Sequence, residues 1–149
     1  MSEKTAPPVS ISLTVNDGNA ALDFYEKAFG AKTLCRMAAP DGKLGHGEFE
    51  IGTTLVYISD ACTEWHAKPL ADGEMTPCLF SIPVENCDAA LRQAVEAGGK
   101  ILMEAEDRFW GIRSGMILDP FGYRWSFGQF LEEVSYEEME RRAKELYGG

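Results

Sequence analysis

Two histidines, four cysteines and a dense set of aromatics carry the chemistry this chain has to offer. His46 lies in Leu44 to Ile51, a stretch read as a strand, where period two gives it the same facing as Glu48 and Glu50. A neutral imidazole there can act as a general base or hydrogen-bond a ligand. The plainer alternative is a histidine satisfied by backbone or carboxylate. His46 is the candidate catalytic residue. Cys62 and His66 are four apart with Glu64 between them, a conceivable zinc pair, but no second ligand pair has matching spacing. His66 therefore reads as a surface residue. Cys35, Cys62, Cys78 and Cys87 form no C-x-x-C pair and read as single thiols, several of them buried. No G-x-S-x-G elbow or phosphate-binding glycine loop is present.

Phe109, Trp110, Phe121, Tyr123 and Trp125 crowd one stretch. Such rings make flat, rigid walls for a planar ligand, although in a β-rich domain most aromatics are core. By alternation Tyr123 and Trp125 share one sheet face, and Arg124 and Ser126 the other. Trp110 and Arg113 fall on a segment read as irregular, where ligand contacts concentrate.

The elements that must position these groups come from an internal repeat. Val15 to Leu22 resembles Val84 to Leu91 at an offset of 69 residues, and Gly30 matches Gly99 in the same register. Each half reads as strand, helix and three strands. Val9–Val15 alternates as a strand, Asn16 or Asp17 offers a helix cap, and Gly30 ends the helix. Strands are predicted over 31–39, 44–51 and 55–60. A linker spans about 61–77. The second half predicts a strand over 79–84, a helix over 88–97 and strands near 100–105, 115–119 and 123–130. Ser135 and Glu138 form a capping-box pattern that opens a terminal helix, whose Met139, Ala143 and Leu146 share one face. The expected organisation is one domain over 1–149: module 1 about 9–60, module 2 about 78–130, and a C-terminal helix about 135–147.

Composition sets the outer limits. The chain has 149 residues, enough to bury a core. Its net charge is −10 and the basic residues are scattered, which argues against nucleic-acid or anionic-membrane partners. No apolar run reaches the length of a membrane span. Met1 to Pro8 lacks the apolar centre of a signal peptide, so the expected location is the cytoplasm.

Four motifs then carry a resemblance. Phe24-Tyr25-Glu26-Lys27-Ala28-Phe29-Gly30-Ala31 and Asp119-Pro120-Phe121-Gly122-Tyr123-Arg124-Trp125 resemble segments of the vicinal oxygen chelate superfamily, which includes glyoxalases, bleomycin resistance proteins and dioxygenases. Phe109-Trp110-Gly111-x-Arg113 and the Glu-Glu-Met-x-Arg-Arg run of the last helix resemble its PhnB-like branch. The resemblance implies an α+β fold of two βαβββ modules, with curved mixed sheets around a cavity, and commonly a homodimer. Members include isomerases, dioxygenases, metal-dependent antibiotic-modifying enzymes and metal-free antibiotic-sequestering proteins, so fold leaves function open.

Metal-dependent relatives draw four ligands from His, Glu and Gln. Carried over by spacing from the flanking motifs, the positions here are Ser10, His46, Leu79 and Ser126. Leucine cannot coordinate and serine hydroxyls are poor ligands, so no metal and no cofactor is expected at this place. If Ser126 faces the cavity, Arg124 does too and can bind an anion. The expected ligand-binding set is His46, Tyr57, Trp65, Trp110, Arg113, Arg124 and Ser126. The leading expectation is a protein that binds a small organic molecule in a metal-free pocket. One alternative is a metal-independent isomerase or lyase using His46 for proton transfer. The other is a metal-dependent lyase or dioxygenase, should the ligand positions be misplaced.

Overall fold

The computed structural model describes residues 7–148. In the first half β1 (Ile11–Val15) leads to α1 (Gly18–Phe29), then β2 (Lys32–Ala38), β3 (Leu44–Ile51) and β4 (Thr54–Asp60). The second half repeats the order with β5 (Leu79–Pro83), α2 (Cys87–Ala97), β6 (Lys100–Asp107), β7 (Ile112–Leu118) and β8 (Arg124–Phe130). A last helix, α3 (Tyr136–Tyr147), follows. Local chemistry fixes the helix ends. Asp17 and Asn86 are equivalent N-caps, accepting from the N–H groups of Ala20 and Ala89. Gly30 ends α1 at φ 67°, where a side chain would be strained.

The strands form two four-stranded mixed sheets of one topology, β1-β4-β3-β2 and β5-β8-β7-β6. The first strand of each module pairs in parallel with the last, and the other pairs are antiparallel. The fold is α+β with paired βαβββ modules.

Alternation gives each sheet a core face and an open face. Leu13, Val15, Phe49, Val56 and Ile58 are buried on the first sheet, and Ile117, Trp125 and Phe127 on the second. Both core faces turn toward the helices. The Tyr25 ring stacks on Phe49 at 5.0 Å and lies 5.4 Å from Trp125, while Phe29 lies 4.6 Å from Trp125. Helix α1 thus packs on both sheets, and α1 and α2 pack on each other. The opposite face of each sheet is left outside this shared core.

Two polar tethers join the modules. Asp119, buried at the turn before β8, accepts from Tyr25 Oη at 2.6 Å and Trp125 Nε1 at 2.9 Å. It also accepts from the N–H groups of Phe121 and Tyr123 at 2.8 and 2.9 Å. Burial nonetheless pushes its carboxyl above the ordinary value, and burial beside it pushes the Tyr25 hydroxyl well up. Tyr123 Oη donates to the Thr14 carbonyl at 2.9 Å and accepts from the Thr14 N–H at 3.2 Å, fastening the second module to β1.

Some expectations change. Strand β7 starts at Ile112 rather than near 115, so Arg113 sits on a strand and not on an irregular segment. Of the cysteines only Cys87 is buried, Cys35 and Cys62 are half-buried, Cys78 is exposed, and all are free. Ser135 caps α3 through the Glu138 N–H, but the Glu138 carboxylate binds Arg141 and Arg142 instead of reaching back. Those arginines hold it down to about 2. No residue of α3 is buried. The helix is held at its root by Arg142, which bonds the Phe109 carbonyl and Glu132. No helix among the described residues is long and apolar enough to cross a membrane.

Candidate functional site

The two open faces differ in chemistry. That of the first sheet is polar. Ser12 (β1), Tyr57 (β4), His46 and Glu48 (β3) and Cys35 (β2) share it by period two, apart from a register shift between Thr33 and Cys35. His46 Nε2 lies 3.0 Å from Glu48 Oε1, and the His46 ring lies 5.4 Å from the Tyr57 ring. A cleft of about 730 Å³ runs from Ser12, His46 and Tyr57 to Trp65 and His66 in the linker. Trp65 is 79% exposed and forms its outer edge.

The open face of the second sheet is largely apolar. A cleft of about 520 Å³ is floored by Leu79, Met103, Ile112 and Met116, and bounded by Trp110 and Phe130. Its polar groups are few. Ser81 Oγ and Ser126 Oγ meet at 2.7 Å. Arg108 reaches Ser114 Oγ, the Ser114 and Glu104 carbonyls and the Glu106 carboxylate. Arg108, Met103 and Met116 escaped the sequence reading. Their one signal was the alternation of β7, whose start at Ile112 puts Ser114 and Met116 on the face of Ser126.

The sequence-derived residues separate into three groups. His46, Tyr57 and Trp65 border the first cleft, and Trp110 and Ser126 the second. Arg113 and Arg124 stand free in neither. Arg113 lies on the helix side of β7, where it chelates Asp88 at 2.8 and 3.0 Å and binds Asp107 at 2.9 Å. That bidentate pair raises the guanidinium further and lowers the Asp88 carboxyl. Arg124 donates to the carbonyls of Thr76 at 3.1 Å and Pro77 at 2.7 Å, so it clasps the linker to β8.

The strand register also corrects the ligand positions carried over from metal-dependent relatives. Ser81 and Ser126 lie opposite one another on β5 and β8. Their repeat equivalents are Ser12 and Tyr57, opposite one another on β1 and β4. His46 lies on the next strand, β3, and not on this pair. Ser10 precedes β1, and Leu79 opposes Arg124. The parallel pairs β1–β4 and β5–β8 therefore present three serine hydroxyls and a phenol. Such a donor set does not fit a divalent transition metal.

A family model described as the Glyoxalase/Bleomycin resistance protein/Dioxygenase superfamily matches residues 8–127. The chain belongs to this superfamily. An uncharacterised Mycobacterium bovis protein is 37% identical over 144 residues, covering 94% of each chain. An uncharacterised Mycobacterium tuberculosis protein matches equally well, with 84% of its length covered. Among solved structures, TioX from Micromonospora sp. ML1 has a TM-score of 0.66 at 23% identity, over 85% of this chain and all of that one. The fosfomycin resistance protein FosX from Mesorhizobium loti has a TM-score of 0.62 at 16% identity, over 93% of this chain and 98% of that one. At these identities the superfamily likeness to solved structures is one of fold.

Proposed function

We propose that this superfamily member binds a small, partly aromatic organic molecule without a metal at Ser12, Tyr57, Ser81 and Ser126. The second open face of one copy and the first open face of another close the pocket as a homodimer. The observation that carries this reading is the uncovered apolar floor of the second sheet. Met103 is 44% exposed, Trp110 38% and Phe130 68%. An apolar, concave face of this kind marks a binding surface, and methionine adapts its shape to varied ligands. The first face supplies what the second lacks: His46, Glu48 and Tyr57 as polar partners. The segment around Trp110, which resembles the PhnB-like branch, supports membership of that branch, and the protein works in the cytoplasm.

A thermal-shift screen of chelator-treated protein against aromatic compounds and antibiotics tests this. A ligand at a hundred times its Kd adds about 2.7 kcal/mol. At about 2–4 °C per kcal/mol this raises Tm by roughly 5–10 °C. Trp110→Ala removes most of the shift. A panel with no hit would overturn the reading. Light scattering gives twice the 16.4 kDa chain mass if the dimer forms, and the chain mass if it does not.

The close His46–Glu48 pair favours a second reading, a metal-independent isomerase or lyase in which His46 moves a proton. Turnover of a panel hit that disappears in His46→Ala supports it. Turnover unchanged in that variant removes His46 from any mechanism.

A further inference from the structure

We infer that Cys35, His46 and Glu48 form a binding site for one zinc-class divalent cation on β2 and β3, beside the β1–β4 pair of the first sheet. The Cys35 sulfur, a ring nitrogen of His46 and a carboxylate oxygen of Glu48 all lie within 4.8 Å of one another. No other group of three such donors meets this closeness among the described residues. Cys62, Glu64 and His66, the zinc candidates of the linker, do not.

The backbone explains the convergence. His46 and Glu48 are two residues apart on β3 and so share a face. Cys35 joins them because β2 bulges. Thr33 opposes Phe49, whose ring points into the core, and an unbroken ladder would then place Leu34 opposite Glu48. The register shift between Thr33 and Cys35 places Cys35 there instead. A bulge that re-aims one side chain is a recurrent device beside functional sites.

The donor types select the ion. Thiolate, imidazole and carboxylate together suit zinc, cobalt or nickel, and not magnesium or calcium. Metal–ligand bonds of roughly 2.0–2.3 Å put tetrahedral donors about 3.5 Å apart, so small rotamer changes close this group around an ion. The ion replaces the present His46–Glu48 contact of 3.0 Å. All three residues are half-buried, and His46 also lines the first cleft. Three protein ligands leave a fourth position for water or another ligand, as in catalytic rather than structural zinc sites. The site lies within one chain and does not depend on the organic ligand proposed above.

Cobalt titration of the reduced, chelator-treated full chain tests it. The expected result is a thiolate-to-cobalt charge-transfer band that saturates at one ion per chain and is displaced by zinc. Cys35→Ser abolishes the band, Glu48→Gln weakens binding at least about tenfold, and Cys62→Ser leaves both unchanged. In the unmutated protein, zinc shields Cys35 from alkylation but not Cys78, which keeps the test independent of how well any variant folds. No band, a band that survives in Cys35→Ser, or a Cys35 alkylated equally with and without zinc would overturn the inference. A panel without ligands would leave it standing.

Discussion

Asp119→Ala lowers the unfolding free energy by about 3–5 kcal/mol, the range for breaking a buried charged network. Four donors lose their acceptor at once: the Tyr25 hydroxyl, the Trp125 indole N–H and the backbone N–H groups of Phe121 and Tyr123. Each unsatisfied buried donor costs about 1–3 kcal/mol. The sum is offset in part, because the carboxyl is itself unfavourably buried, as its raised pKa shows. The loss falls on the junction between α1 and the second sheet, so both modules loosen together. Urea unfolding followed at Trp125 measures it. Asp119→Asn keeps one acceptor oxygen and loses about half as much. A change below about 1 kcal/mol in the alanine variant would mean that water replaces the carboxylate, contrary to the burial seen.

Gly111→Ala costs about 3 kcal/mol or more and weakens the candidate ligand site. Gly111 has φ +88°, and an added Cβ would stand 2.2 Å from the Glu132 carbonyl oxygen. The left-handed conformation alone costs roughly 1–2 kcal/mol for an alanine, and the backbone overlap adds to it. The Gly111 carbonyl also accepts from the N–H groups of Leu131 and Glu132. Moving this crossing displaces Trp110 from its cleft and pulls on α3, whose Arg142 binds the Phe109 carbonyl. The expected outcome is a lower Tm together with faster proteolysis at the α3 root and weaker binding of panel hits. A variant with unaltered Tm would show that the crossing opens freely.

How much of this was legible in the sequence follows from the range of each interaction. Helix caps and turns are local, so a cap at Asn16 or Asp17 and the stop at Gly30 could be read directly, and the repeat they mark carried the element order of both modules. The structure picks Asp17 and adds Asn86, its repeat partner. Neighbouring strands are not local. The offset of 69 residues already makes Tyr57 the equivalent of Ser126, but only the parallel pairing of β1 with β4 and of β5 with β8 seats them opposite Ser12 and Ser81. Arginine partners are equally distant. Arg113 and Arg124 suggested ligand contacts by charge alone, but Asp88 lies 25 residues from Arg113, and the Pro77 carbonyl 47 from Arg124. Cys35 had no signal at all, because only the bulge in β2 brings it to Glu48.

Binding of a small organic molecule on the open faces is decided by a crystal structure of the protein with a hit from the compound screen. The ligand is expected on the second sheet beside Trp110, Met116 and Ser126, with His46 of a second copy across from it. A ligand lodged between the core faces near Ile11 and Phe80, or a bare open face, would contradict it.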